Sequence, residues 1–473
     1  MGYPRPVSPF LDSLAADSFV FPSAIVAGTP TFYSFPAILA SRYPLALGRD
    51  VLGLAPGEPT LASILRRAGY ATGAFTAANP YLSPRFGYHQ GFDAFNDFMD
   101  KTESLASEGT VAGGWASRFN HSLQKMSGAL GPLGIVYEEL YFRYCQRITP
   151  VPGSIDTLRR YPSADVVIDH ASIWLNSIGN KPFFLWLHLM DPHSPYHPKA
   201  AALALMGDRP LSPAKARYLN DFWNRSDVGA RRFARYRDDV VRLYDAGIRW
   251  VDAQLERLRE TLRRANAWNN CVFVVTGDHG EEFLDHGGRY HRPSRLMEEM
   301  IRVPLLLRVP GTAKKEITGC PFSLLHIAPT LLDCVDLQAP AEFRGRSYWH
   351  ELLRQEKLDG AAISECVANC NNPFRTENRM GPRVLSVREA RYKLILHFEP
   401  WAEYLYDLVT DPGEQAPLGP DSQKSVRARL LKIAYEHLVS SNQRDLGKRL
   451  RARIGSLRLE WKNSTQQASR AGC

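Results

Sequence analysis

The sequence contains no run of eighteen apolar residues, so no transmembrane helix is expected. Its first residues, Met1-Gly2-Tyr3-Pro4-Arg5, lack the basic-then-apolar pattern of a secretory leader, and as written the chain is expected to be cytoplasmic. Seven cysteines, odd in number and scattered, suggest no disulfide framework. Cys366 and Cys370 stand four apart, which is not the usual paired zinc spacing. The cysteines read mostly as buried thiols. Excess charge is also missing from most of the chain. Lys and Arg total 58 against 49 Asp and Glu, but between Ser422 and Cys473 there are twelve basic residues and three acidic ones. The first 421 residues are therefore balanced, which argues against a nucleic-acid enzyme.

What is present is ordinary globular material. The chain has 473 residues, 44% hydrophobic and 23% charged, enough for one large α/β domain and a smaller appendage. The most informative stretch runs from Cys271 to Pro310. Cys271 to Thr276 reads as a buried strand, and Val303 to Val309 as a second one. Between them come Asp278, His279, His286 and His291. Ligands in open α/β sheets bind just beyond the carboxyl ends of strands. The cluster therefore reads either as a metal or oxyanion site, or as a strand-end turn capped by Asp278 with polar surface histidines.

Other segments frame it. Ser8-Pro9 opens a short helix, with the hydroxyl as cap and proline in the first turn. Gly28 to Pro44 is a hydroxyl-rich loop opening a helix, whose free N–H groups suit a phosphate or sulfate. Thr31 there either caps the helix or presents its hydroxyl. Thr60 can cap a helix running through Arg67. Ala71 to Thr76 and Phe183 to Leu187 read as strands. Val241, Tyr244, Ile248, Val251, Leu255, Leu258 and Leu262 mark a long amphipathic helix.

The stretch TGDHGEEFLDHG, followed by RVPLLLRVPG, resembles the sulfatase branch of the alkaline-phosphatase-like superfamily. The likeness recurs in order from Gly2 to Leu418. It implies an α/β fold: an alkaline-phosphatase-like mixed, mainly parallel central sheet flanked by helices, with a small C-terminal antiparallel subdomain. The expected domains are a catalytic unit at 1–350 with an insertion at 97–164, a small sheet at 351–421 and a basic helical tail at 422–473. The implied activity is divalent-metal-dependent hydrolysis of sulfate or phosphate and phosphonate esters. Two alternatives are a phosphoglycerol- or phosphoethanolamine-type transferase on envelope glycans or lipids, and a degenerate, non-catalytic member.

The resemblance also assigns roles. The nucleophile stands twelve residues before the Tyr of an RYP-like ending, here Tyr43, which gives Thr31; Thr29 is the fallback. True sulfatases carry a convertible Cys or Ser there, and Thr31 resembles the threonine of phosphodiesterase relatives. A cation lowers the pKa of such a hydroxyl. Asp278 and His279 match the metal pair, with Thr31 completing it. The metal is Ca, Mg, Mn or Zn. In HxxDPHxPY, His193 is the general acid or oxygen-binding donor, braced by His188 or Asp191. His291 is catalytic, and His286, His188 and Asn79 contact substrate. Sulfatases carry Lys and His where this chain has Ala77 and Asn79, which weakens the case for a sulfate monoester. His326 replaces the Asp of a DxxPTLL helix, and Gly345-Arg346-Ser347 resembles a GRS turn; both read as structural.

Family members begin with a strand ending in Asp that supplies a metal carboxylate. This sequence opens at the loop after it, so either its start is placed too late or the strand and its ligand are lacking; as written, lower stability and weaker metal binding are expected. The expected partner is a small anionic ester, with no nucleic acid; the basic tail reads either as a solvated helix face or as a contact with an anionic membrane surface.

Overall fold

The computed structural model describes residues 3–99, 132–151, 153–207, 211–226, 228–291, 295–312, 315–441 and 446–457. Residues 100–131 of the expected insertion and 458–473 of the expected tail lie outside the described residues.

Three sheets and a hairpin precede the C-terminal sheet. Strands β3 (Ala71–Thr76), β4 (Ala94–Asn96) and β5 (Phe183–His188) form an all-parallel sheet with β3 in the middle. Its register sets Thr76 opposite His188, so both chains leave the sheet at one level. A second sheet has the order β11 (Lys315–Glu316), β1 (Phe19–Val20), β10 (Leu305–Arg308), β6 (Phe273–Thr276). A third has the order β12 (Phe322–Ser323), β2 (Ala24–Ile25), β9 (Arg302–Val303). The expected single strand at Val303 to Val309 is thus two strands in two sheets. Pro304 between them has no N–H to continue a ladder. The hairpin strands β7 (Glu282–Phe283) and β8 (Arg289–Tyr290) pair with each other.

Helices cover these sheets. Helix α1 (Pro9–Leu14) begins where expected, but Ser8 makes no capping bond. The buried carboxylate of Asp252 accepts from Phe10 N at 3.0 Å and Leu11 N at 2.9 Å instead. Helix α2 spans Thr31–Ala40, and helix α3 spans Leu61–Arg67 with the expected Thr60 cap, closed reciprocally by Ser63. Further along come α4 (Pro132–Ile148), α5 (Ala164–Ile178), α6 (Pro213–Trp223) and α7 (Arg237–Arg264). Leu258 and Leu262 of α7 pack with Ile168 and Leu175 of α5 against Phe183, Leu185 and Phe273. That cluster joins β5 and β6, although among the described strands β5 pairs only with β3 and β6 only with β10.

The C-terminal part is a four-stranded antiparallel sheet of β13 (Ala362–Val367), β14 (Arg383–Arg388), β15 (Tyr392–Phe398) and β16 (Trp401–Asp407). Alternate residues divide its faces. Leu385, Val387, Leu394 and Leu396 pack under Leu430, Leu431, Ala434 and Leu438 of α8 (Lys424–Ser440). Cys366, Val384 and Ile395 face the main core beside Ile25, Phe32 and Tyr33. The apolar face of the basic segment is therefore spent on this sheet. Of the six described cysteines, Cys320, Cys366 and Cys370 are buried and the other three are half-buried.

Candidate active site

Three chain ends converge above the strands. The first turn of α2 presents Thr31. The chain leaving β6 turns through Asp278 and His279, and the chain leaving β5 carries His188 and His193. Gly280 is required in this turn, because a Cβ there would lie 1.9 Å from the carbonyl oxygen of Glu299. Close packing brings Gly280 N to Met300 O at 2.9 Å and fixes the loop.

Thr31 Oγ1 lies 3.3 Å from His279 Nε2. The other ring nitrogen, Nδ1, is 2.8 Å from Gly280 O, and a carbonyl can only accept. Nδ1 therefore carries the proton, and the Nε2 lone pair faces Thr31. Asp278 Oδ2 is 3.7 Å from the same Nε2. Of the two threonines in the loop, Thr31 reaches His279; the buried Thr29 hydroxyl has no hydrogen-bond partner among the described residues.

Around this trio stand three more imidazoles. The His291 ring is 4.5 Å from that of His279 and 4.9 Å from that of His193. His193 Nδ1 donates to Ser194 O at 2.5 Å, leaving its Nε2 bare. Burial pushes His193 and His188 down to about 4 and lowers His291 as well, so all three are neutral near pH 7. Burial works against the charge of Asp278, but His279, His188 and the Thr31 hydroxyl outweigh it and hold the carboxyl below its ordinary range. The site thus keeps an ionised carboxylate close to the neutral rings of His188, His193 and His291.

Glu281 completes the cluster and was not singled out from the sequence. Its carboxylate lies 3.4 Å from His291 Nδ1. Burial pushes it up to about 7, against the pull of His193 and His279. The only signal for it was its place two residues after His279 at a strand end. Aromatic rings form the walls. Tyr161 packs edge-on to His193 at 5.6 Å, and Tyr81 stacks on Phe374 at 5.4 Å while touching Phe32 next to Thr31.

The remaining expected residues are placed differently. Asn79 spends its side-chain carbonyl on Tyr81 N at 3.0 Å, and its amide lies 3.7 Å from Met190 Sδ. Asp191 does not touch His193. It accepts from Arg159 Nη2 at 2.7 Å and Ala164 N at 2.9 Å, and so anchors the turn from below. Burial raises it to about 6 against the pull of Arg159. His286 lies in a second cluster, where Nδ1 is 2.7 Å from Glu299 Oε1 and Nε2 is 3.2 Å from Glu414 O. With Glu282 these groups bring ligand atoms within 4.8 Å of one another. Glu282 Oε1, however, already accepts from Arg295 Nη1 at 2.8 Å, His286 N at 3.0 Å and Gly288 N at 2.7 Å. His326 accepts from Arg346 N at 3.0 Å and joins the GRS turn to the helix Ile327–Cys334.

A cation fits the first cluster. Asp278 Oδ2 is buried with no hydrogen-bond donor among the described residues, and it sits beside a bare imidazole nitrogen and a threonine hydroxyl. The backbone bond at His279 Nδ1 is the usual second contact of a metal-binding histidine. An oxygen–nitrogen donor set of this kind suits Mg, Mn, Ca or Zn without selecting one.

A profile of the sulfatase family matches residues 1–337, and one described as N-sulphoglucosamine sulphohydrolase, C-terminal, matches residues 287–439. An endo-4-O-sulfatase of Bacteroides thetaiotaomicron is 26% identical over 274 residues, 54% of this chain and 52% of that protein, so the match spans about half of its length. An arylsulfatase of Clostridium perfringens is 26% identical over 366 residues, 72% of each chain. A phosphonate monoester hydrolase from Silicibacter pomeroyi superposes with a TM-score of 0.64 at 19% identity, covering 92% of this chain and 90% of that one; this bears on the fold alone. Members of the sulfatase family are generally metal-dependent. The first profile covers well over half of the sequence, and the chain belongs to the sulfatase family.

Proposed function

We propose that this chain hydrolyses esters of phosphorus, phosphodiesters or phosphonate monoesters, through a covalent intermediate on Thr31. One observation carries the reading: a threonine hydroxyl, not a cysteine or serine, stands 3.3 Å from the bare Nε2 of His279 beside the ionised Asp278. Threonine cannot become the aldehyde that sulfatases make from cysteine or serine, but its oxygen can attack phosphorus directly. Ala77 and Asn79 add no positive charge to the site, which favours a substrate with one ionised oxygen.

Asp278, His279 and Thr31 Oγ1 would hold the cation. When bound, it lowers the pKa of the Thr31 hydroxyl and offsets charge on the substrate oxygens. Thr31 Oγ forms a bond to phosphorus as the bond from phosphorus to the leaving oxygen breaks. The hydroxyl proton passes to the neutral imidazole pair His193 and His291, which returns it to the departing alkoxide. Water then cleaves the Thr31 ester, and its proton follows the same route, restoring the hydroxyl. Tyr81 and Tyr161 flank the organic group.

The test is turnover of bis(p-nitrophenyl) phosphate, p-nitrophenyl phenylphosphonate and p-nitrophenyl sulfate with Mg, Mn, Ca or Zn added. The phosphorus esters are expected to turn over. Thr31→Ala should lose at least about a thousandfold in kcat, while Thr31→Ser keeps part of it. Mass spectrometry of acid-quenched enzyme should find the phosphoryl group on the peptide bearing Thr31. Sulfate turnover that survives Thr31→Ala would refute the assignment.

A further inference from the structure

Helix α4 (Pro132–Ile148) has two unlike faces. Its inner face is bound to the body. Glu139 accepts from Arg225 Nη1 at 2.8 Å and Arg232 Nη2 at 2.7 Å, Phe142 packs on Tyr218 and Phe222, and Gln146 Nε2 donates to Asp221 Oδ2 at 2.7 Å. The outer face carries Val136, Leu140, Tyr144 and Ile148, spaced every four residues, and Val151 follows. All five are between 55% and 62% exposed. Residues four apart are neighbours on a helix surface, so the four form one winding apolar row rather than scattered hydrophobes. Tyr137 and Tyr141, stacked at 6.1 Å, belong to the same side of the helix wheel.

Charge decides what covers such a row. The exposed Arg147 and Arg143, the latter also donating from Nε to Glu139 Oε1 at 3.0 Å, run along one border of it. The helix Ala230–Ala234 is tied to the inner face of α4 through Arg232 and Glu139. An apolar row bordered by arginines and tyrosines is the composition of a helix lying in the plane of an anionic bilayer, its apolar residues among the acyl chains and its basic ones at the headgroups. A second copy packed on the same row would bring two sets of arginines together, at a like-charge cost. The helix does not qualify to cross a bilayer.

We infer that α4 is a peripheral membrane contact, seating Val136, Leu140, Tyr144 and Ile148 in the surface of an anionic lipid bilayer. This contact differs from the C-terminal helix, whose apolar face is already buried. It does not depend on the reaction catalysed. Helix α4 stands on α6, whose Phe222 and Trp223 share a cluster with Tyr196 and Phe283 beside the candidate site. A protein seated through α4 therefore works close to the lipid surface.

The test is flotation of the full chain with vesicles of phosphatidylcholine alone or mixed with phosphatidylglycerol. The protein should float with the mixed vesicles at low salt, remain behind with phosphatidylcholine alone, and be released by high salt. Leu140→Asp with Tyr144→Asp should lower vesicle affinity at least about tenfold, with the thermal midpoint and turnover unchanged, since both side chains point to solvent. Arg147→Glu should weaken binding several-fold and flatten its salt dependence. Failure of the wild-type protein to float, or flotation of the double variant like the wild type, overturns the inference. So does a dimer, seen by light scattering, that the double variant dissolves without any vesicle binding; that result assigns the row to a second copy. Loss of turnover at wild-type flotation would count against the hydrolase reading and leave this one standing.

Discussion

Glu365 of the C-terminal sheet, fully buried, and Asp278 of the site, half-buried with its Oδ2 covered, are both acids that remain ionised, yet their surroundings differ. Glu365 is paired with Arg383, accepts from His437 Nε2 at 2.9 Å and from Leu45 N at 2.9 Å. Its neighbours follow the same rule: Glu414 meets the fully buried Lys393 at 2.8 Å, and Glu298 meets Lys393 and Arg388. Asp278 and Glu281 have no Lys or Arg within ion-pair distance among the described residues; they face His188, His193, His279 and His291. The strands differ in parallel. Every residue of β13 and β14 is buried, whereas all four of β6 and five of six in β5 are only half-buried. The C-terminal sheet brings its own cations and is finished as a structural unit. The site holds negative charge that the protein does not neutralise, as a cation-binding site requires.

The sharpest way to break this comparison is to neutralise both acids. Asp278→Asn is expected to lower kcat by at least about a thousandfold, because it removes the charge that binds the cation. It should lower the metal-free thermal midpoint only slightly, since His279, His188 and the Thr31 hydroxyl, and no Lys or Arg, favour the charge in the fold. Glu365→Gln should do the reverse. It leaves Arg383 buried without its counter-charge and costs about 3 kcal/mol in urea or thermal unfolding, with kcat nearly preserved. An Asp278→Asn protein that unfolds while Glu365→Gln stays stable would erase the distinction.

Acid titration separates the regions more gently. Burial raises Glu365, but Arg383 and His437 more than offset it and hold the group down to about 2. Its folded pKa lies below its unfolded value, so its contribution is fully present above about pH 4.5 and disappears as pH falls toward 2. Unfolding followed between pH 5 and 2 should show this loss in the wild type, and a much smaller one in Glu365→Gln.

How much of this was readable beforehand depends on the distance over which each feature is decided. The strand at Phe273–Thr276, the Thr60 cap and the long α7 are written in local periodicity and capping, and they form where expected. The break at Pro304 is visible in the sequence, but which sheet each half joins is decided by β1 and β2, nearly three hundred residues away. The replacement of Ser8 by Asp252 as the partner of α1 is equally non-local. In the site, Thr31, Asp278, His279, His193 and His291 come together on residues that the motifs picked out. Glu281 and Glu282 are adjacent acids with no local difference. Backbone alternation sends Glu281 to His291 and Glu282 to Arg295 and His286, and only the paired hairpin strands settle which goes where.

That division yields the smallest of the expected effects. His286 stands on the Glu282 side, held by Glu299 at 2.7 Å and by Glu414 O at 3.2 Å, and it joins the loop that carries the site to the C-terminal sheet. His291 stands on the Glu281 side, in ring contact with His279 and His193. Substituting His286 by Ala removes hydrogen bonds without removing a group from the reaction. It should cost about 1–2 kcal/mol of stability and less than about tenfold in kcat. His291→Ala should cost about a hundredfold or more in kcat with a smaller loss of stability. Steady-state kinetics and thermal melts on the two variants decide the matter. If His286→Ala lowers kcat as far as His291→Ala while melting like the wild type, the second cluster belongs to the chemistry, and the line drawn between paired and unpaired acids must be moved to include Glu282 and Glu299.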